Sequence, residues 1–137
     1  DPLPGTFLPG EISFWIGHCQ YQLENYVAAI EAYDAALEDI HSQRSSSLGL
    51  KFYEEILFQS GSSSYMIGDF NGAAETMASL ADHVSDDHAA FTYLILIDSL
   101  LATGAVARAR GYYADAQPGV AESGLSAEFA ALGRRLR

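Results

Sequence analysis

Residues 14–37 of this 137-residue chain read FWIGHCQYQLENYVAAIEAYDAAL, and the pattern of this stretch recurs twice further along the chain. Four sets of positions recur together, each stepping by 44 and then by 36 residues. The sets are Tyr26, Phe70 and Val106; Ala29, Ala73 and Ala109; Tyr33, Met77 and Tyr113; and Ala36, Leu80 and Ala116. Periods of about 20–50 residues are typical of stacked supersecondary units, so the pattern predicts three similar helix hairpins.

The spacing of large and small residues indicates how each hairpin would pack. Tyr26, Ile30, Tyr33 and Leu37 follow one another at intervals of four, three and four, which places them on one face of a helix. Small residues between them let a second helix approach closely. We expect tight turns between the paired helices at Glu24-Asn25, Gly68-Asp69 and Gly104-Ala105, because Gly and Asn accept the left-handed backbone that ends a helix.

At these positions the chain resembles the tetratricopeptide repeat (TPR) family, whose unit is a helix pair of about 34 residues. In the first copy the matching residues are Ile16, Gly17, Tyr21, Tyr26, Ala29, Tyr33 and Ala36. The second copy keeps Gly61, Tyr65, Phe70, Ala73, Met77 and Leu80, and the third keeps Val106, Ala109, Tyr113 and Ala116. Ile97 replaces the glycine of the third copy, and Pro118 comes early for a unit-ending proline. The resemblance covers roughly residues 10–118, and both joints carry insertions.

The resemblance implies an all-α fold, a right-handed superhelix of three tandem TPR-like hairpins plus a C-terminal capping helix. We place the units at about 10–41, 48–83 and 88–118, and the cap at about 126–137, with Phe129, Leu132 and Leu136 on one side. The predicted helices are about 10–23, 26–41, 48–67, 71–83, 88–103, 105–117 and 126–137.

Two segments fall outside these helices. Residues 1–9, DPLPGTFLP, form an extended segment or linker, because three prolines exclude a helix interior. A linker is favoured over docking of Leu3, Phe7 and Leu8 on this domain or on a neighbouring molecule. The insertion at 42–48 is either helical or a loop, with Ser47 as an N-cap.

Charge and composition narrow the classes of function. Residues 1–107 carry 15 of the 18 acidic residues but only Arg44 and Lys51 of the seven basic ones. Nucleic acid is bound through clustered Lys and Arg, so this acidic body argues against it and favours either simple solubility or basic partners. No apolar run is long enough to predict a membrane span. Because the chain starts at Asp1, we expect an excised domain or a mature form.

In proteins of this family the first helix of each unit lines a concave groove, which implies a partner-binding surface here. The groove residues carried over by register are Phe14, His18, Tyr21, Glu55, Phe58, Ser62, Tyr65, Phe91, Leu94, Asp98 and Leu101. They make the groove aromatic and mildly acidic, suited to an extended or helical protein segment with apolar anchors and basic residues. The alternative is that about half of these rings belong to the core.

Candidate chemical sites are few. His83, Asp86, Asp87 and His88 have zinc-ligand chemistry, but Ser85, Asp86 or Asp87 is more readily explained as the N-cap of the next helix. Cys19 follows His18 directly, so their side chains diverge by about 100° and we expect Cys19 to be a small core residue.

We therefore expect a non-catalytic protein–protein interaction scaffold without cofactor or metal. The alternative is a self-assembling or tethering module that oligomerises through its ends or its convex face. The sequence does not identify a compartment, since a single cysteine leaves the redox environment open.

Overall fold

The computed structural model of the protein describes residues 10–42 and 52–137. Within these ranges the chain forms seven α-helices and no β-strand, which confirms the predicted all-α class. The helices are α1 Glu11–Gln22, α2 Tyr26–Ser42, α3 Tyr53–Met66, α4 Phe70–Ala81, α5 Asp86–Ala102, α6 Val106–Val120 and α7 Ser126–Arg135. They group into two compact units, Asp1–Ile67 and Gly68–Arg137.

The first unit is built on the α1–α2 hairpin. The third helix packs on α2 and also touches α1. Its core consists of Phe14, Ala29, Tyr33, Ala36, Ile40 and Ile56. Burying one large apolar side chain of this kind stabilises a fold by roughly 1.5–3 kcal/mol, so the few large members of this cluster dominate its stability.

The second unit is arranged around α5, which packs against both α4 and α6. The last helix, α7, lies against α5 and α6 and buries Phe129, Leu132 and Leu136, which confirms the apolar side predicted for this helix. The largest fully buried side chains of this unit are Phe129, Met77, Leu96, Ile97 and Leu100. A single terminal helix therefore closes one side of the unit's apolar interior.

The three predicted turns share one backbone feature. Glu24, Gly68 and Gly104 have φ values of 61°, 80° and 81°, so each turn contains one left-handed residue at the repeat offsets. The prediction is confirmed for the two glycines. In the first turn the left-handed residue is Glu24 rather than Asn25, whose side-chain amide instead donates to Gln20 Oε1 at 2.9 Å.

The hydrogen bonds that close the first and third turns are equivalent. The amide of Asn25 donates to the carbonyl of Gln20 at 2.8 Å, and the amide of Ala105 donates to that of Leu100 at the same distance. A bond of this span, across a left-handed residue, is the Schellman ending of a helix. In the middle turn Asp69 caps α4, because its Oδ1 accepts from the amide of Gly72 at 3.0 Å.

Three of the four sets of repeated positions have matching environments. Tyr26, Phe70 and Val106 each open the second helix of a predicted hairpin, and all three are half-buried. The small residues three positions later are Ala29, Ala73 and Ala109, and each has 0% of its surface exposed. Ala36, Leu80 and Ala116 are all buried as well, whereas in the remaining set Tyr33 and Met77 are fully buried and Tyr113 is half-buried. The agreement within three of the four sets supports a helical repeat.

The predicted helix limits agree with the structure to within about two residues, except at two places. The prediction that the sixth helix ends at residue 117 is wrong, because α6 continues through Pro118 to Val120. Proline has no backbone N–H, so Pro118 removes one hydrogen-bond donor from α6. Near the end of a helix this costs only one hydrogen bond, and the helix can continue. Residues 48–51 of the predicted third helix lie outside the described residues.

Other predictions also fall outside the described residues. They concern the segment 1–9, residues 43–48 of the insertion, and the N-cap at Ser47. The boundaries of three hairpin units stay a prediction.

Candidate functional site

A polar network connects the three helices of the first unit. Gln59 of α3 is buried, and its Oε1 accepts a hydrogen bond from the hydroxyl of Tyr33 on α2. His18 Nδ1 on α1 lies 3.2 Å from the same oxygen. The Gln59 amide in turn donates to Glu55 Oε1 at 2.7 Å. Because a carbonyl oxygen has two lone pairs, Gln59 can satisfy both neighbouring helices at once.

The contact with Gln59 determines the tautomer of His18. An amide oxygen only accepts, so in this contact Nδ1 carries the hydrogen and donates it. The imidazole also stacks on Phe14, with ring centroids 6.0 Å apart, and meets Trp15 edge-on at 5.7 Å. These contacts hold His18 as part of the helix packing.

Tyr33 is the most perturbed titratable group of this network. Burial is the main cause that raises the pKa of its hydroxyl, and the nearby Tyr21, Glu55 and Cys19 add to the shift. The hydroxyl is therefore neutral and acts as a hydrogen-bond donor to Gln59. This role is structural, since the group has no exposed surface that a substrate could reach.

The predicted groove residues of the first unit have two kinds of environment. Phe14 is 4% exposed and belongs to the core, where it stacks on Phe52 with centroids 4.8 Å apart, and Ser62 is buried as well. The core alternative, which concerned the aromatic rings, therefore describes Phe14. The half-buried members are His18, Tyr21, Glu55, Phe58 and Tyr65. Of these, the structure brings His18 and Glu55 together on Gln59.

In the second unit the four predicted groove residues lie along α5. Phe91 is exposed, whereas Leu94, Asp98 and Leu101 are half-buried. Asp98 forms an ion pair with Arg135 of α7, so the terminal helix occupies part of this face. Their assignment to a partner-binding groove stays a prediction.

A second surface was not predicted from the sequence. The side of α1 opposite Phe14, continued by the C-cap Leu23, carries exposed uncharged residues at intervals of three, one, three and four, and we call it the α1 stripe. Its members are Ile12, Trp15, Ile16, Cys19 and Leu23. The exposed fractions of the four large side chains run from 47% for Trp15 to 68% for Leu23. A shallow cavity of about 420 Å³ lies along this side of the helix.

The exposure of Cys19 corrects the prediction that it is a core residue. At about 100° per residue, a position five residues after Phe14 is turned well away from the buried face. Cys19 consequently lies on the α1 stripe. The spacing of apolar residues along α1 was a sequence signal for the α1 stripe. It did not distinguish the exposed side from the buried one, because α1 has apolar residues on both sides.

The described residues outside this network and the α1 stripe offer little further chemistry. Among the side chains that the structure describes, which do not include that of Asp86, no three or more His, Cys, Asp or Glu residues are grouped as metal ligands. Ser85 occupies the predicted N-cap position of α5, where its carbonyl accepts from the amides of His88 and Ala89. No described helix is both long and apolar enough to cross a lipid bilayer.

Comparisons of the chain with family models, with curated proteins and with solved structures found no match.

Proposed function

We propose that the protein is a non-catalytic interaction module that binds an amphipathic helix of a partner protein along the α1 stripe. The observation that carries this proposal is the exposure of Ile12, Trp15, Ile16 and Leu23 on one face of a single helix. Contiguous exposed apolar surface on a soluble domain marks interaction sites, and isolated exposed residues do not.

The spacing of the α1 stripe favours a helical partner. Its residues follow one another at intervals of three, one, three and four, which produces a narrow ridge along the whole helix. A partner helix with apolar anchors at matching intervals can lay its own apolar face against such a ridge. The bulky indole of Trp15 supplies the large, rigid contact area that dominates many interfaces.

The charge of the first unit indicates what surrounds the partner's anchors. Residues 1–67 contain nine acidic residues against only two basic ones, Arg44 and Lys51. Glu11 and Glu24 lie at the two ends of the α1 stripe. Complementary charges speed encounter and exclude wrong partners, so the partner helix should carry Lys or Arg beside its apolar anchors.

We further propose that the helices form the TPR-like right-handed superhelix described above. The equivalent left-handed turns at Glu24, Gly68 and Gly104 support a repeated hairpin. A partner-binding groove that includes Tyr21, Glu55, Phe58 and Tyr65 would then be a second face of the same module.

Trp15 allows a direct test, because it is the only tryptophan in the chain and lies in the α1 stripe. The probe is a designed helical peptide with leucines at intervals of three and four and flanking lysines. Docking should shift the Trp15 emission to shorter wavelength. Ile16→Ser should weaken binding about tenfold, since burying such a side chain contributes roughly 1.5–3 kcal/mol. The matched control is Met66→Ser, which removes an exposed apolar residue of α3.

Three comparisons decide the interpretation. A peptide with flanking glutamates should bind more weakly than the lysine peptide, and a scrambled peptide should not bind. Equal effects of Ile16→Ser and Met66→Ser would reject the α1 stripe as the binding surface. A molecular mass that rises with protein concentration in the absence of peptide, and does not rise in Ile16→Ser, would favour the self-assembly alternative.

A further inference from the structure

The second unit contains a separate cavity of about 530 Å³, a size typical of small-ligand sites. It lies where the first turns of α5 approach the last turns of α6 and the inner side of α7. Its floor is apolar, formed by residues such as Ala116 and Phe129, both of which are buried. Phe91 and Tyr93 of α5 add aromatic walls, and Phe91 is 49% exposed.

The charges that line this cavity are all of one sign. Asp87, Asp115 and Glu122 contribute carboxylates, whereas no Lys or Arg is among the described residues that line it. Burial, followed by the charges of Asp115 and Asp82, raises the pKa of the Tyr93 hydroxyl. Burial disfavours a charge of either sign, whereas the contribution of the carboxylates is specific to negative charge, so Asp115 and its acidic neighbours favour a cation where the ligand stays partly open to solvent.

We infer that this cavity binds a small organic cation with an apolar body, its ammonium or guanidinium group facing Asp115 and its apolar part lying against Phe91 and Tyr93. Two features select this class. The aromatic side chains of Phe91 and Tyr93 supply contact area for an apolar ligand body. The carboxylates are not grouped as metal ligands in the described chain, which disfavours a divalent ion, because such an ion needs several converging oxygens.

Two kinds of ligand carry such a cation. One is a free amine, and the other is a partner protein that presents a Lys or Arg side chain. This inference is independent of the proposed function, because the α1 stripe belongs to the other unit. Loss of binding in one unit would therefore leave the other testable.

The experiment compares phenethylamine, which is a cation at neutral pH, with 2-phenylethanol, its uncharged counterpart of similar size. Ligand-detected NMR and calorimetry on the full chain should show binding of the amine and much weaker binding of the alcohol. Asp115→Asn should weaken amine binding about fivefold, as expected for a partly exposed ion pair. Glu128→Gln removes an exposed charge of α7 that does not line the cavity, and binding should stay unchanged.

A second arm identifies the source of the cation. A short peptide with one blocked lysine that binds more tightly than phenethylamine would assign the cavity to a protein side chain, and weaker binding would assign it to a free amine. Equal binding of the amine and the alcohol would overturn the inference. So would an Asp115→Asn variant that folds normally and binds the amine as the unsubstituted chain does, or no binding of any cation at millimolar concentration.

Discussion

The ring of Tyr33 fills the space directly in front of Gly17. A Cβ atom added to Gly17 would lie 2.6 Å from Tyr33 Cε1, closer than side-chain carbons approach one another. The ring has little freedom to move aside, because Tyr33 is fully buried and its hydroxyl donates to Gln59. The absence of a side chain at Gly17 therefore sets how closely α1 and α2 approach.

This contact predicts that Gly17→Ala destabilises the protein, although alanine is the better helix former. Overpacking a filled core costs typically about 1–3 kcal/mol, which outweighs the roughly 1 kcal/mol that alanine gains in a helix. Gly111 is the matched control, since it lies in α6 with nothing within 4 Å of an added Cβ. Gly111→Ala should raise the free energy of unfolding by about 0.5–1 kcal/mol in denaturant titrations. Changes of the same sign in both variants would contradict this explanation.

The turn between α1 and α2 should be improvable. Glu24 has a φ of 61°, a left-handed conformation that glycine adopts without strain and that glutamate does not. Glu24→Gly should therefore stabilise the protein, by up to about 1 kcal/mol. The converse change, Gly104→Ala, should destabilise it by about 1–2 kcal/mol, although an added Cβ would meet no atom within 4 Å.

Thermal unfolding of both variants tests the backbone geometry of the turn alone, because neither substitution exchanges one packing contact for another. A lower melting temperature for Glu24→Gly would contradict this prediction. It would mean that the Glu24 side chain stabilises the protein by more than its left-handed backbone destabilises it.

The network around Gln59 should be energetically coupled. Gln59→Leu leaves the buried Tyr33 hydroxyl without its acceptor and should cost about 1–3 kcal/mol. Tyr33→Phe leaves Gln59 with His18 and should cost about 1 kcal/mol. The double variant should be less destabilised than the sum of the two, by roughly 0.5–3 kcal/mol. Simple additivity in denaturant titrations would show that the two side chains do not interact.

The helices and turns could be predicted from the sequence because their signals are local. The intervals between Tyr26, Ile30 and Tyr33 define a helix face, and Gly68 and Gly104 supply the backbone that ends a helix. Burial of Ala29, Ala73 and Ala109 followed from their shared position in the repeat. The helix faces and turns thus depend on residues that lie close together in the chain, and the repeat extends them to equivalent positions.

The orientation of α1 could not be predicted in the same way. Phe14 and Ile16 are both large and apolar, yet Phe14 is in the core and Ile16 is on the surface. Which of the two is buried depends on where α2 and α3 pack, and this is long-range information. Gln59 was missed for the same reason. It accepts hydrogen bonds from Tyr33 and His18, but a polar residue 26 positions after Tyr33 gives no periodic signal in the sequence.

The attachment of α7 should depend on apolar burial rather than on its ion pair. Phe129 is 1% exposed, and Phe129→Ala should cost about 3–5 kcal/mol. Arg135→Ala should cost at most about 1 kcal/mol, because Arg135 is 51% exposed and solvent screens its pairing with Asp98. Amide hydrogen exchange in α7 should accelerate strongly in the first variant and little in the second. Comparable acceleration would mean that the ion pair holds the helix.

Stability at alkaline pH should depend on Tyr33. Its pKa is raised above the usual 10.0 by burial and then by nearby Tyr21 and Glu55, whereas in the unfolded chain it should titrate normally. Below pH 10 both states hold the proton, so the contribution to stability is complete. As the pH rises further the unfolded state releases the proton first, and the free energy of unfolding falls. Denaturant titrations from pH 9 upward, followed together with tyrosinate absorbance, should show a steeper fall for the unsubstituted chain than for Tyr33→Phe. Parallel pH dependences would contradict the prediction, because they would mean that Tyr33 ionises equally easily in the folded and unfolded states despite its burial and its bond to Gln59.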